Sequence, residues 1–174
     1  MIKLLIISST RNSNLEMSND IKSYYDAKKN IEAKVISLED FELPLFTPTR
    51  EDQYKLDNNF PKNINKIKDI LLNSQAIIWC SPEYNGGISP IVTNTIAWIS
   101  RATVDWKESF NKKDILICSS SGGNGKSFIE SFKIQLSYLG SNVMENFLIK
   151  TKKSGLDEDE FSKVLNSFYC KIVN

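Results

Sequence analysis

The chain has 174 residues, of which 41% are hydrophobic and 25% charged, as is typical of one folded domain of ordinary size. This composition excludes a disordered, collagen-like or coiled-coil chain. The 22 basic and 21 acidic residues leave a formal net charge of +1, which gives no general electrostatic reason to bind nucleic acid or an anionic membrane.

Histidine does not occur in the sequence. Its absence excludes Ser-His-Asp and Cys-His hydrolases and removes the side chain most often used for proton transfer near neutral pH. The three cysteines, Cys80, Cys118 and Cys170, lack the spacing of a zinc site and are expected to be buried, reduced thiols. An enzyme of this composition is expected to bind no metal and to take its chemistry from a cofactor.

The first apolar run, residues 4–7, is too short for a signal sequence or a membrane-spanning helix. We therefore expect a cytoplasmic protein without membrane contact.

Apolar, β-rich runs alternate along the chain with helical patterns, and no repeat or linker interrupts the series. The predicted strands cover residues 2–8, 33–38, 76–80, 114–119 and 143–150. The predicted helices cover residues 14–28, 61–71, 90–101, about 126–139 and 157–171. Residues 41–60 are expected to form a long connection, and structureless connections of that length are usually functional.

The alternation predicts an α/β fold in which residues 1–174 form a single domain, with a five-stranded parallel sheet between two layers of helices. The strand order 2-1-3-4-5 is the common solution for five strands. It places a ligand site outside the carboxyl ends of the first and third strands, where the order reverses. The loops at residues 8–13 and 81–88 are therefore expected to carry function.

The loop at residues 8–14 reads Ser-Ser-Thr-Arg-Asn-Ser-Asn and joins a buried strand to a helix. Helix N-termini offer unpaired N–H groups and a partial positive charge, so a phosphate fits here and Arg11 would add a charge-assisted hydrogen bond. A plain polar turn that caps the helix explains the same residues, and composition does not separate the two.

The loop at residues 81–90 combines a stiffening proline with two adjacent glycines. A loop that is rigid and bare of side chains suits a flat ring lying against backbone N–H groups. Tyr84 adds an aromatic face with a polar tip. The alternative is a tight turn whose tyrosine merely packs.

Residues 120–127, Ser-Ser-Gly-Gly-Asn-Gly-Lys-Ser, follow a predicted strand and open a helix, as the phosphate loop of nucleotide kinases does. Ser120 stands where that motif has its first glycine. A glycine-rich wall of the pocket at the first loop, residues 8–14, is therefore favoured over a nucleoside triphosphate site. Further along, Lys150, Lys152 and Lys153 form a small basic cluster. It is interpreted as a solvated rim, with contact to a cofactor phosphate as the alternative.

These motifs resemble the NADPH-dependent FMN reductase family of flavodoxin-like proteins, which includes quinone, azo-dye and chromate reductases. The strongest match is Ser-Pro-Glu-Tyr-Asn-Gly-Gly-Ile-Ser-Pro at 81–90, continued by Asn94, Trp98, Ser100 and Arg101. The family has S-P-E-Y-N-x-x-I-P-G there, followed by N-A-x-D-W-x-S-R, and Ala97 replaces its Asp. The first loop is similar to G-S-x-R-x-x-S-x-N at Ser9 and Arg11, with Ser8, Asn14 and Glu16 replacing Gly, Ser and Asn.

The resemblance implies a flavodoxin-like three-layer sandwich that binds FMN non-covalently. The implied phosphate-binding residues are Ser9, Arg11, Ser13 and Asn14. The residues implied to lie against the isoalloxazine are Pro82, Glu83, Tyr84, Asn85, Gly86, Ser119, Ser120 and Gly122. A homodimer or homotetramer, with each flavin near a subunit boundary, is also implied.

The resulting prediction is an FMN-dependent NAD(P)H oxidoreductase that works by a ping-pong mechanism. NADPH or NADH would reduce the bound FMN, which would then reduce a quinone, an azo compound or a similar small-molecule acceptor by two electrons. The cofactor carries this chemistry, so no catalytic side chain is required; Tyr84 is expected to border the substrate space and Glu83 to fix its loop.

Two other functions stay open. One is a non-enzymatic FMN-binding electron carrier or flavin-binding regulator, although a near-neutral net charge is unlike the acidic surface of a carrier that docks by charge complementarity. The other is a small nucleotide kinase built on the Gly-Lys-Ser sequence at residues 125–127.

Overall fold

A computed structural model describes residues 1–57 and 59–174 of the chain. The strands are β1 (Ile2–Ser8), β2 (Ile31–Ser37), β3 (Ala76–Cys80), β4 (Glu83–Tyr84), β5 (Gly87–Ile88), β6 (Asp114–Ser121), β7 (Asn142–Val143) and β8 (Leu148–Thr151). The helices are α1 (Ser13–Asp26), α2 (Pro48–Leu56), α3 (Lys62–Leu72), α4 (Pro90–Ala102), α5 (Lys126–Tyr138) and α6 (Glu158–Val173). A short 3₁₀ turn, Leu38–Asp40, follows β2.

The main sheet is parallel and has the order β2-β1-β3-β6, with β7 and β8 both paired to β6. β7 lies beside the start of β6, where Asn142 pairs with Asp114, and β8 lies beside its end, where Leu148 pairs with Cys118. The predicted order 2-1-3-4-5 is therefore confirmed, with the fifth position shared by two short strands. The predicted strand at residues 143–150 is interrupted at residues 144–147, where Glu145 and Asn146 are exposed.

Apolar side chains cover both faces of this sheet. Alternate residues of β1 point to opposite faces, as the pleat requires: Leu5 and Ile7 join the cluster formed with α3, α4 and α5. Leu4 and Ile6 join the cluster formed with α1 and α6. The predicted three-layer arrangement is thus confirmed, and it explains why the strands read as continuous apolar runs.

Cys80 and Cys118 are buried in the cluster formed with α1 and α6, but Cys170 is exposed on α6, so the prediction of a buried thiol is wrong for Cys170.

Residues 41–60, predicted as a long connection, contain the helix α2; residue 58 lies outside the described residues. Pro48 occupies the first turn, and the Thr47 hydroxyl accepts a hydrogen bond of 3.3 Å from the backbone N–H of Arg50. This cap-and-proline signal was present in the sequence. Apolar periodicity did not predict this helix, because periodicity reports a buried face and none of residues 48–56 is buried.

Within residues 1–57 and 59–174, none of the helices is long and apolar enough to cross a membrane.

Candidate functional site

A cavity of about 480 Å³ lies at the carboxyl edge of the parallel sheet, where the order of the strands predicts a ligand site. The last residues of β6 and β8, together with the segments that follow β1, β3, β6 and β8, form its wall. The lining residues are Thr10, Asn12, Ser13, Asn14, Glu16, Pro82, Glu83, Tyr84, Ser120, Ser121, Gly122, Lys150, Thr151 and Lys152. The volume lies within the range of roughly 300–1,000 Å³ that is usual for small-molecule sites.

A second cavity, of about 520 Å³, lies at the opposite edge of the sheet. Its wall includes Lys3 at the start of β1 and Ser74 just before β3. Ligands of open parallel sheets bind at the carboxyl ends of the strands, and the predicted loops are absent from this wall. The first cavity is therefore the candidate functional site.

The start of α1 forms one end of the candidate cavity. The side chain of Asn12, which precedes the helix, makes no capping hydrogen bond. Its carbonyl oxygen accepts hydrogen bonds from the N–H groups of Leu15 at 2.8 Å and Glu16 at 3.2 Å. The N–H groups at the very start of a helix have no intrahelical partner, so those of Ser13 and Asn14 remain available to an anion.

Asn14 joins α1 to the end of β6 instead of offering its side chain to a ligand. Its Nδ2 donates to the carbonyl oxygen of Ser120 at 2.9 Å, and its Oδ1 accepts from the N–H of Ser120, also at 2.9 Å. Asn14 is 2% exposed. Both polar atoms of its side chain are thus occupied. Asn14 was predicted to contact the phosphate, but its side chain instead holds two walls of the cavity together.

Two further residues predicted at the phosphate, Ser9 and Arg11, do not line the cavity. Ser9 is buried, and its hydroxyl accepts a hydrogen bond from Nε1 of Trp79 at 3.0 Å. Arg11 turns away to Asp40, whose Oδ1 accepts from its Nε at 3.0 Å and its Nη2 at 2.6 Å. The backbone N–H of Arg11 donates to Oε2 of Glu39 at 3.0 Å. Acidic groups that follow β2 thus occupy this side of the first loop.

The loop after β3 is a β-hairpin of β4 and β5, in which Glu83 pairs with Ile88 and Tyr84 with Gly87. Asn85 and Gly86 form its two-residue turn with φ of 51° and 74°. Positive φ at both positions is typical of a type I′ turn, which favours Asn-Gly. The turn points outside the cavity wall, so the predicted site residues Asn85 and Gly86 shape the hairpin and do not line the cavity.

The wall-forming part of the hairpin is residues 82–84, and a contact with α5 holds it in place. Oε2 of Glu83 accepts a hydrogen bond of 3.2 Å from the backbone N–H of Phe128, in the first turn of α5. The carboxylate thereby satisfies an N–H group at a helix N-terminus, as expected of a residue that fixes its loop. Tyr84 is 50% exposed and borders the mouth of the cavity.

The glycine-rich segment after β6 forms the opposite wall. Gly122 lines the cavity, and a Cβ atom built on it would meet nothing within 4 Å. Gly125 has φ of +67°, and a Cβ atom there would lie 3.1 Å from Oγ of Ser119. Ser119 is buried beneath this segment and does not line the cavity, although it was predicted to.

The same geometry disfavours a kinase-type phosphate loop. β6 runs through Ser120 to Ser121, so only residues 122–125 separate the strand from α5. The kinase motif needs a longer loop between strand and helix to wrap the phosphates. The segment therefore serves as a wall.

The cavity wall also contains two lysines, Lys150 and Lys152, of the cluster that was predicted to be a solvated rim. Lys150 lies in β8 in register with Ser120, and Lys152 directly follows this strand. Both line the cavity, and neither forms an ion pair within residues 1–57 and 59–174. The signal for this placement was their position at the carboxyl end of the fifth predicted strand, the edge at which the site lies.

Comparison with known proteins agrees with this arrangement. Residues 2–154 match the family model described as NADPH-dependent FMN reductase. The uncharacterized protein MG342 homolog of Mycoplasma pneumoniae is 26% identical over 163 residues, which cover 91% of this chain and 92% of that protein.

Solved structures share the fold. The flavoenzyme NAD(P)H:(acceptor) oxidoreductase FerB of Paracoccus denitrificans superimposes with a TM-score of 0.75 at 16% identity, over 99% of this chain and 96% of that chain. An azoreductase of Bacillus anthracis superimposes with a TM-score of 0.64 at 13% identity, over 99% of each chain.

The family match spans every segment that lines the cavity, from Thr10 to Lys152. It confirms the resemblance drawn from the loops at residues 8–14 and 81–90, together with the enzyme class and the cofactors which that resemblance implied. The chain therefore belongs to the NADPH-dependent FMN reductase family and is an NAD(P)H-dependent oxidoreductase that uses FMN as its cofactor.

Proposed function

We propose that residues 1–174 form one FMN-binding domain, that the cavity at the carboxyl edge of the sheet holds FMN, and that the enzyme reduces a quinone, an azo compound or a similar small-molecule acceptor. The observation that carries the proposal is the construction of the cavity. A helix N-terminus, a rigid hairpin wall and a wall with a bare glycine border the same space of about 480 Å³.

The residues present fit FMN. The first turn of α1 offers unpaired N–H groups and the hydroxyl of Ser13, which suit a phosphate. The opposite walls suit a flat ring, because Pro82 and the hairpin are rigid and Gly122 leaves room beside its backbone. The predicted FMN-binding residues that line the cavity are kept in this proposal; they are Ser13, Asn14, Pro82, Glu83, Tyr84, Ser120 and Gly122.

When bound, FMN supplies a hydride acceptor for NADPH or NADH and a two-electron donor for the second substrate, in a ping-pong sequence. The protein's own part is to position the ring and to stabilise the negative charge that reduction adds to it. Backbone N–H groups stabilise this negative charge where no side chain covers them, as at Gly122.

No side chain is assigned proton transfer in this proposal. The carboxylate of Glu83 is occupied by the N–H of Phe128, so it holds the wall. Tyr84, half-exposed at the cavity mouth, borders the space in which nicotinamide and acceptor would stack in turn.

We further propose a homo-oligomer built on the face formed by α4 and α5. The large apolar side chains of Ile134 and Tyr138, one turn apart on α5, and of Trp106, whose ring lies 5.4 Å from that of Tyr138, are exposed there. Beside them lies an apolar groove of about 220 Å³. Contiguous apolar surface of this kind marks contact sites, and a second copy of the chain is the proposed partner.

A cytoplasmic location is part of the same proposal. Cys80 and Cys118 lie side by side in the sheet as buried thiols, which suits a reducing compartment.

The proposal is tested on the purified protein incubated with FMN. We expect a bound flavin spectrum, loss of its visible absorption when NADPH or NADH is added without oxygen, and recovery when a quinone or an azo dye follows. The variant Gly122→Phe should block FMN binding, because its side chain would enter the cavity. Ser127→Phe, on the exposed surface of α5 outside the cavity, is the matched control.

Two results would contradict the proposal in different ways. A protein that binds no FMN overturns the cofactor site. A protein whose bound FMN is reduced by neither NADPH nor NADH is instead the electron carrier or flavin-binding regulator.

A further inference from the structure

We propose that Lys150 and Lys152, and not Arg11, supply the positive charge that binds the phosphate of FMN. The assignment rests on the proposed function, because it requires FMN to occupy the cavity at the carboxyl edge of the sheet. It names the residues of this chain that distinguish FMN from flavins without a phosphate.

Arg11 is committed elsewhere. Its guanidinium makes two hydrogen bonds to Asp40, and its backbone N–H donates to the carboxylate of Glu39. A phosphate brought to Arg11 would meet both carboxylates, and like charges at close range repel. The side of the first loop that carries Arg11 is thus already neutralised by acidic partners.

The two lysines approach the phosphate end of the cavity from the other side. Lys150 is in register with Ser120, whose backbone is clamped by the side chain of Asn14 in the first turn of α1. Adjacent strands are about 4.8 Å apart, so one strand spacing separates Lys150 from the residue that holds α1. Lys150 therefore lies within side-chain reach of the start of this helix.

The pleat of β8 aims Lys150 toward α1. Leu148, two residues earlier, is buried in the apolar cluster formed with α1 and α6. Residues two apart in a strand share a face, so the side chain of Lys150 leaves the sheet on the same side as α1. Lys152 extends the basic wall beyond the end of the strand.

The charges of the cavity wall leave the lysines without an anionic partner. The acidic side chains in the wall are Glu16 and Glu83. Glu83 is held by the N-terminal turn of α5, and Glu16 forms no ion pair with Lys150 or Lys152. A phosphate ester carries about −1.5 to −2 charges at neutral pH and would pair with both lysines.

The test compares the affinities for FMN and for riboflavin, which lacks the phosphate, by quenching of flavin fluorescence. The double variant Lys150→Gln/Lys152→Gln should bind FMN at least about tenfold more weakly, because it loses two charge-assisted contacts. Its affinity for riboflavin should stay within about twofold, which also shows that the variant is folded. Arg11→Gln should leave both affinities within about twofold of the wild type.

Lys153→Gln is the matched control, because Lys153 belongs to the same segment but does not line the cavity. This variant should bind FMN like the wild type. In the wild type, added salt should weaken binding of FMN more than binding of riboflavin, and the double variant should lose most of that difference.

Three results would overturn the assignment. A loss of FMN affinity in Arg11→Gln, with the double variant unaffected, would return the phosphate to Arg11. A double variant with unchanged FMN affinity but a raised KM for NADPH relative to NADH would assign the lysines to the dinucleotide's extra phosphate. A wild-type protein that binds neither flavin would overturn the proposed function itself, which separates that failure from the other two.

Discussion

The clamp between Asn14 and Ser120 offers the sharpest test of how the cavity is built. The variant Asn14→Ala removes a side chain that makes two hydrogen bonds of 2.9 Å and joins residues 106 positions apart in the chain. It leaves the N–H and the carbonyl of Ser120 without these partners. Ser120 is only 5% exposed, so water replaces the lost partners poorly.

The expected cost follows from these two groups. Leaving a buried donor or acceptor without a partner costs about 1–3 kcal/mol, so the loss of both should lower the free energy of unfolding by about 2–6 kcal/mol. This is a large share of the roughly 5–15 kcal/mol by which such domains are stable. The affinity for FMN should fall as well, since α1 and β6 carry two walls of the cavity.

Urea denaturation of the wild type and the variant measures the loss. Asn12→Ala is the matched control, because the side chain of Asn12 makes no capping hydrogen bond and lines the same cavity. This control should change the free energy of unfolding by less than about 0.5 kcal/mol. The reasoning is refuted if Asn14→Ala is as stable as Asn12→Ala, because the two amide contacts would then contribute nothing.

Three further predictions concern separate features. Gly125→Ala should cost about 1–3 kcal/mol in urea denaturation, because φ is +67° and the added Cβ lies 3.1 Å from Ser119, whereas Gly122→Ala should cost less than about 0.5 kcal/mol; equal losses would contradict the strain. Burial lowers the pKa of Lys113 from 10.5 to about 8, so the unfolded chain binds more protons between these values and the free energy of unfolding should rise with pH across that window. Lys113→Met should lose that rise in a pH series of urea titrations, and a slope that persists would assign it to another group. Glu16→Gln should tighten binding of FMN but not of riboflavin in fluorescence titrations, because Glu16 is an anion in the cavity wall, and unchanged FMN binding would place the phosphate elsewhere.

Local patterns in the sequence were enough to predict the main sheet. Runs such as residues 4–7 and 76–80 are apolar at successive positions because both faces of their strands are buried. The order of the strands followed from general rules for parallel sheets, and that order predicted the edge at which the cavity lies. Helix α2 was missed because its residues are not buried, and periodicity reports burial.

The sequence by itself also determined the family, since the motif at residues 81–90 is continuous and its hairpin is formed by neighbouring residues. The partners of individual polar side chains were decided only by the tertiary structure. Arg11 meets Asp40 across 29 positions, and Asn14 meets Ser120 across 106. Lys150 joins the cavity wall because the register of β8 places it beside Ser120. Such contacts depend on which strands become neighbours and in which register they pair. A local sequence pattern does not encode contacts between residues so far apart in the chain.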